Sequence, residues 1–394
     1  MKDEGGIRKV YKDHNLHVLF GVTLMAVLGV TSITPAFPEI VETFGITSGQ
    51  VGLLITFFTV PGVVLTPVLG ILSDRYGRKA ILTPALIGFG IAGGLCAFVG
   101  DFQLLLLLRF VQGMGAAALG TLNVTVIGDI YAGRELSAAL GYNSSILSIA
   151  TAAYPGLGGL LATFGWFYPF LLPFLAVPIG FLVLYSLNNP EPENDQRLKD
   201  FLKDELDNIW GRLKSFRVLG VLCASLVSFV ILFGPQLAYL PILMNERFGA
   251  PSYVIGGTLS AASLTTALIS SQLGRLTGYF AERSLLRTAF VLYAIALVAA
   301  SLVPGLWLLL IPVVVLGFAN GINIPTIFSL LNEYAPSENR GAFLSINGMI
   351  LRLGQTVGPL FMSGIAASLS LTGAYLASAA LAAAMFFVAL AFVR

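Results

Sequence analysis

The 394-residue chain has little charge: 11% of its residues are Asp, Glu, Lys or Arg, whereas 56% are hydrophobic. Soluble globular domains have about a quarter charged residues, so this composition excludes that class. The two cysteines, Cys96 and Cys223, lie inside apolar runs, and this excludes a disulfide framework and a cysteine metal site. No nucleophile–base pair, metal cluster or phosphate-binding loop is present either. We therefore expect no enzyme, no bound metal or cofactor, and no nucleic-acid partner.

Apolar runs of about 20 residues, each long enough to cross a ~30 Å hydrocarbon core as a helix, recur along the whole chain. The alternating pattern of a barrel strand is absent. The sequence thus predicts an all-α membrane protein, and we expect the first run to be retained rather than cleaved as a signal peptide. The twelve predicted spans cover residues 16–36, 50–72, 80–99, 103–128, 137–162, 166–187, 217–241, 253–276, 284–303, 306–331, 341–365 and 371–392.

The distribution of basic residues predicts the orientation. With twelve spans both ends lie on one side, and all but three of the 22 Lys and Arg fall on that side. The exceptions are Arg247, on the opposite side, and Arg109 and Arg352, inside spans. Basic residues collect in cytoplasmic loops, so we expect both termini in the cytoplasm, and a prokaryotic plasma (inner) membrane around the protein.

The two halves of the chain resemble each other. The segment "FGITSGQVG" at residues 44–52 returns as "FGAPSYVIG" at 248–256, an offset of 204 that also relates Asp129 to Glu333 and Asn143 to Asn347. We predict two pseudo-symmetric six-helix bundles, residues 1–187 and 217–394. A cytoplasmic linker, residues 188–216, contains a predicted amphipathic surface helix. Two such halves around a central cavity are typical of transporters that work by rocking.

Two motifs carry a family resemblance. The loop "GILSDRYGRK" between spans 2 and 3 resembles the signature loop of the major facilitator superfamily, and "RFVQGMGAA" in span 4 resembles a motif of its proton-coupled members. The nearest sub-family is the twelve-span drug:proton antiporters. Their span 5 glycine-proline motif departs from the pattern here at Tyr154, and a cleaner copy lies in span 11. The expected helix-packing residues of the two copies are Pro155, Gly158, Gly354, Gly358 and Pro359.

The resemblance implies that the charged loop is a gating latch. Asp74 would dock on the start of span 11 near Gly341 when the cytoplasmic side is shut, and Arg78 would pair with Asp129 at the end of span 4. The second half has Gly278 where Asp74 would be, so the predicted latch is asymmetric. The latch residues are Gly70, Asp74, Arg75, Gly77, Arg78 and Asp129.

No Asp or Glu falls in the middle of a span, so the charges inside the membrane are the arginines. Each has a glutamine three residues on, at Gln112 and Gln355, and this spacing puts each pair on one helix face. A charge at mid-membrane is costly and usually faces a cavity, although Arg109 could instead bond backbone carbonyls of neighbouring helices. The candidate substrate-cavity residues are Arg109, Gln112, Asn143, Gln236, Asn320, Asn347, Arg352 and Gln355; for the asparagines, hydrogen bonding between helices is the alternative.

Two functions remain open. The first is secondary active transport of a small amphipathic molecule by alternating access, as proton-coupled multidrug efflux, with Asp129, Glu39 or Asp74 as proton carriers. The alternative is symport or uniport of an anionic or lipid-like substrate bound by the buried arginines. For the first function we expect the proton gradient to be the energy source. In either case we expect a monomer in the lipid bilayer and a small-molecule partner.

Overall fold

The computed structural model describes residues 10–189, 216–334 and 340–393, and in these ranges the regular structure is helical. The long helical segments fall where the sequence predicts them, and they keep the numbering of the predicted spans. Their bounds are, for spans 1 to 12, His14–Phe44, Ser48–Tyr76, Arg78–Phe98, Phe102–Ile130, Gly133–Ala162, Tyr168–Ser186, Phe216–Phe248, Ser252–Ser271, Glu282–Leu302, Leu310–Tyr334, Arg340–Ser368 and Leu371–Phe392.

Eleven of these segments are long and apolar enough to cross a membrane. The remaining one, span 11, has 29 residues and is long enough, but Arg352 and Gln355 make its middle more polar. The predicted all-α membrane fold is confirmed. The side of the membrane on which Val10 and Val393 lie is called the terminal side below, and the other the far side.

Spans 1 and 7 extend furthest beyond their predicted bounds. Span 1 continues beyond residue 36 because Pro35 and Pro38 occupy the first turns of short helices, positions where the missing N–H of proline costs nothing. Span 7 runs to Phe248 through a π-helical stretch, Leu232–Tyr239, that contains Pro235. The amphipathic helix expected in the linker lies outside the described residues.

The repeat seen in the sequence is present in the packing. Thr66 of span 2 donates a hydrogen bond to the carbonyl of Ala117 in span 4 (3.2 Å), and Ser270 donates to the carbonyl of Gly321 (3.1 Å). Both partners in the second pair lie 204 residues after those in the first. Spans 8 and 10 therefore pack as spans 2 and 4 do, which is the internal symmetry expected of two six-helix bundles.

Candidate functional site

The predicted pair between Arg78 and Asp129 is present at the terminal side. Arg78 Nε lies 2.8 Å from Asp129 Oδ2, and Arg78 Nη1 donates to Ser73 Oγ (2.8 Å) and to Asp74 Oδ1. The Arg78 side chain is 8% exposed, so the two carboxylates and the hydroxyl surround a nearly buried cation. Gly77, at φ +93°, turns the chain between spans 2 and 3 in a backbone region that favours glycine.

Asp74 is half exposed and its hydrogen bond is to Arg78, in its own bundle. The predicted docking of Asp74 near Gly341 involves side chains that lie outside the described residues. Arg75 stacks near its neighbour Tyr76, with the guanidinium carbon 5.4 Å from the ring centre. In the second half, Arg283 and Glu333 form a looser, exposed pair at 3.5 Å. The ion pair at the span 4 end thus has a weaker counterpart in span 10.

On the far side the two bundles are in contact. Ser252 of span 8 donates to Glu39 of the first bundle (2.6 Å), and Ser48 of span 2 donates to Glu246 of the second (2.5 Å). Ser48 and Ser252 occupy equivalent positions in the repeated segment. Reciprocal bonds from equivalent serines hold the far ends of the bundles together, and we call this set the far-side gate.

The far-side gate continues inward as a cluster of threonines between spans 2 and 11. Thr56 donates to the carbonyl of Thr356 (3.1 Å), and the hydroxyls of Thr59 and Thr356 are 2.9 Å apart. All three side chains are buried. The bundles are therefore sealed against each other from the far surface to the depth of Thr59, which is roughly midway along span 2.

Three pairs of glycines show that the contact between the two bundles does not continue to the terminal side. The members of each pair are 18 residues apart, about five helical turns, a spacing that places both on the same face of a continuous helix. In each pair a Cβ added to the far-side glycine would touch the opposite bundle at 3.1 Å or less, and one added to the terminal-side glycine would meet no atom within 4 Å. The pairs, far-side member first, are Gly52 and Gly70, Gly159 and Gly141, and Gly256 and Gly274. Gly274 lies on a short helix, Leu273–Tyr279, that follows span 8. Among the described residues, the two bundles are thus in contact on the far side and separated on the terminal side, and we call the space between them the cleft.

Arg109 does not face this cleft. It is fully buried inside the first bundle, where Nε donates to the carbonyl of Leu54 (3.1 Å) and Nη1 to Gln112 Oε1 (2.6 Å). Its guanidinium carbon lies 4.3 Å from the ring centre of Phe58, a cation–π contact. This geometry matches the structural alternative for Arg109, in which it bonds a neighbouring helix.

The polar amides also lie inside the bundles. Asn143 accepts a hydrogen bond from Thr23 (2.5 Å) in the first bundle. In the second, Asn320 donates to Gln236 (2.9 Å) and accepts from Tyr293 (2.6 Å). These side chains are buried and connect helices of one bundle, which is the alternative role given to the asparagines. Asn347 is buried as well, and neither of its side-chain polar atoms has a hydrogen-bond partner within the described part of the chain.

Arg352 has surroundings different from those of Arg109. Its side chain is partly buried and, among the described residues, has no hydrogen-bond or ion-pair partner. It extends from span 11 to the first bundle: a Cβ added to Gly62 would lie 2.9 Å from Arg352 Cδ and 3.2 Å from Nη1, and one added to Gly120 4.0 Å from Nη2. Gln355, also partly buried, lies one turn away on the same helix. Arg352 thus stands at the inner end of the cleft.

The glycines and prolines of spans 5 and 11 lie at close helix contacts. An added Cβ would come within 1.8 Å of the Ser32 carbonyl oxygen at Gly158, within 2.8 Å of the Leu226 oxygen at Gly354 and within 2.7 Å of the Val230 oxygen at Gly358. Pro155 and Pro359 instead meet the opposite bundle, at Gly256 and Gly52. The sequence motifs include these positions but not Gly62, Gly120 or the threonine cluster. The sequence gives no local signal for these residues, because each acts through a residue on another span.

Two bundles of membrane helices related by an internal repeat, in contact at one end, are the layout of secondary transporters. The sequence profile of the Major Facilitator Superfamily matches residues 19–271 and 236–394. The chain belongs to this family, as its charged loop predicts, and is therefore an integral membrane transporter and not an enzyme.

Relatives match most of the chain. The bacillibactin exporter of Bacillus subtilis (strain 168) is 27% identical over 361 residues, 88% of each protein. Multidrug resistance protein 1 of the same strain is 25% identical over 355 residues, 89% of each. A bacterial homolog of the human lysosomal transporter Spinster, in an inward-facing and unoccupied conformation, has a TM-score of 0.84 over 98% of each chain at 16% identity, a likeness that shows the fold alone.

Proposed function

We propose that this protein exports a small amphipathic molecule, and that proton entry drives the export. The observation that carries the proposal is the cleft, which is open on the terminal side and closed at the far-side gate. With the termini in the cytoplasm of a prokaryotic cell, as the basic loops favour, this arrangement accepts substrate from the cytoplasm. The relatives whose names describe an exporter and a multidrug resistance protein support the outward direction.

The carboxylates available for proton coupling lie at the two ends of the molecule. Glu39 belongs to the far-side gate, whereas Asp74 and Asp129 surround Arg78 at the terminal side. Protonation of a carboxylate in either set would weaken the hydrogen bonds that it accepts as an anion. Proton binding would then alter the balance between the two closures rather than occupy the substrate site. A monomer contains all the elements of this cycle.

The alternative is symport or uniport of an anionic or lipid-like substrate bound by the buried arginines. Arg352, which has no hydrogen-bond or ion-pair partner among the described residues, is the observation that favours it. The direction of transport and its dependence on the proton gradient distinguish the two functions. We expect proteoliposomes with an imposed proton gradient to move a fluorescent amphipathic dye against its own gradient, and a protonophore to abolish this. Dye movement that is always downhill and indifferent to the proton gradient would reject export by antiport and favour uniport.

A further inference from the structure

Arg352 is a positively charged group near the middle of the membrane, and it has no acidic partner among the described residues. No Asp or Glu of the sequence falls in the middle of a span, and Arg109, the other arginine at depth, has its own contacts inside the first bundle. An isolated guanidinium at this depth is energetically costly unless water or a ligand solvates it. The open cleft supplies access for both.

The surroundings of Arg352 are shaped to hold it extended. The glycines at positions 62 and 120 belong to different spans of the first bundle, and the absence of a side chain at each leaves a notch that the guanidinium enters. The threonine cluster closes the notch towards the far side, since Thr356 is one turn from Arg352 on the same helix and bonds its carbonyl (3.0 Å). The donors of Arg352 are therefore presented at the closed end of a passage that opens only to the terminal side.

We propose that Arg352 in the Gly62–Gly120 notch is the binding subsite for a single anionic group of the substrate, a carboxylate, phosphate or sulfonate. The planar fork of a guanidinium matches the paired oxygens of such groups, and it repels cations. Gln355, one turn along the same helix, adds a neutral donor and acceptor beside the acid. This proposal rests on the export function above and names its substrate class: amphipathic acids, in preference to the organic cations associated with multidrug efflux.

Gly62 has a positioning role in this proposal. Any side chain there would overlap the Arg352 stem at 2.9 Å and push the guanidinium out of the notch. Because Arg352 and Gly62 belong to opposite bundles, their contact also depends on how the bundles are placed. When the far side opens, Arg352 moves relative to the notch, and the subsite that held the acid changes shape.

A matched set of planar aromatic ligands tests the charge preference: 2-naphthoate, the neutral 2-naphthamide and the cationic 2-naphthamidinium. Binding to the full-length protein in detergent is measured by calorimetry. We expect 2-naphthoate to bind most tightly, and Arg352→Gln to weaken it at least tenfold, equivalent to about 1.4 kcal/mol, without changing the binding of 2-naphthamide. Arg352→Lys restores part of the loss. Equal binding of the three ligands by the wild type, or unchanged 2-naphthoate binding in a folded Arg352→Gln protein, overturns the proposal.

The notch is tested by Gly62→Ala, with Gly88→Ala as the control because a Cβ at Gly88 meets no atom within 4 Å. Gly62→Ala should weaken 2-naphthoate binding in the wild type but have no further effect in Arg352→Gln, since it acts through the arginine. Additive losses would show that Gly62 acts independently.

The same titration in nanodiscs of phosphatidylcholine and phosphatidylglycerol distinguishes a substrate subsite from a lipid site. Competition by phosphatidylglycerol would assign the subsite to a lipid headgroup and reject the substrate assignment. Export of a neutral dye that persists in Arg352→Gln would leave the proposed function intact.

Discussion

Asp129 and Glu333 occupy equivalent positions in the two halves, but their side chains differ in surroundings. Asp129 is 29% exposed and bonds the nearly buried Arg78 at 2.8 Å, whereas Glu333 is 52% exposed and lies 3.5 Å from Arg283. An exposed ion pair contributes little, about 0–1 kcal/mol, while a carboxylate beside a buried cation is strongly coupled to it. The two equivalent carboxylates can therefore be compared directly, because only the Asp129 carboxylate pairs with a nearly buried arginine.

We predict that Asp129→Asn removes most of the response of transport to a proton gradient and that Glu333→Gln leaves it unchanged. Asp129→Asn keeps a hydrogen-bond acceptor for Arg78 but cannot change its charge on protonation. Dye export by proteoliposomes, compared at several imposed gradients and normalised to folded protein, measures the response. Full gradient-driven export by Asp129→Asn would reduce Asp129 to a structural role.

The distribution of charged and apolar residues predicted the membrane spans. It did not predict that the two arginines inside the spans have different surroundings. Arg109 and Arg352 both precede a glutamine by three residues, and nothing local distinguishes them. The difference arises on other spans: Arg109 meets the Leu54 carbonyl and the Phe58 ring, while Arg352 meets a glycine notch. Contacts between distant segments decide which arginine is sealed and which is available, and a single sequence does not contain them explicitly.

At the scale of helices, glycines fix how closely the spans of one bundle approach. A Cβ added to Gly113 in span 4 would lie 2.1 Å from the Phe58 carbonyl oxygen in span 2, and one added to Gly317 in span 10 would lie 2.3 Å from the Ala262 oxygen in span 8. The two contacts are related by the offset of 204 residues. The spans were predictable from the length of the apolar runs, and the repeat from the similarity of the two halves. The close contacts were not predictable, because each depends on a residue of another span.

We expect Gly317→Ala to lower the melting temperature of the detergent-purified protein, since forcing a methyl group into a packed contact costs about 1–3 kcal/mol. Gly257→Ala is the control: it lies in span 8, and a Cβ there meets no atom within 4 Å. Tryptophan fluorescence during heating reports both. Equal melting temperatures for the two variants would mean that spans 8 and 10 can separate at little cost.

In the proposed transport cycle, the whole molecule exchanges a closed far side for a closed terminal side. In the present arrangement the hydrogen bonds between the bundles gather on the far side, from the reciprocal serine–glutamate bonds to the threonine cluster. The hydrogen bonds of Arg78, by contrast, are within the first bundle in the part of the chain that the structure describes. Alternating access requires that the far-side contacts break as the terminal ends approach each other.

A cross-link between the two bundles on the far side should therefore block transport. A Cβ at Gly49 would lie 3.9 Å from the Cβ of Ser363 in the opposite bundle, within the range of about 3.5–4.5 Å that disulfides span. The double variant Gly49→Cys with Ser363→Cys, in a background with both native cysteines replaced by alanine, should oxidise readily and lock the far side shut. Moving the second cysteine to Gly364, where a Cβ meets no atom within 4 Å, gives the control.

The locked protein should bind ligand from the terminal side with unchanged affinity but fail to transport it, and a reductant should restore transport. This separation of binding from transport follows because the cleft is already open in the locked state, and only the second half of the cycle is blocked. Transport by the fully oxidised double variant at the wild-type rate would show that substrate passes without opening of the far-side gate, and would contradict the rocking mechanism itself.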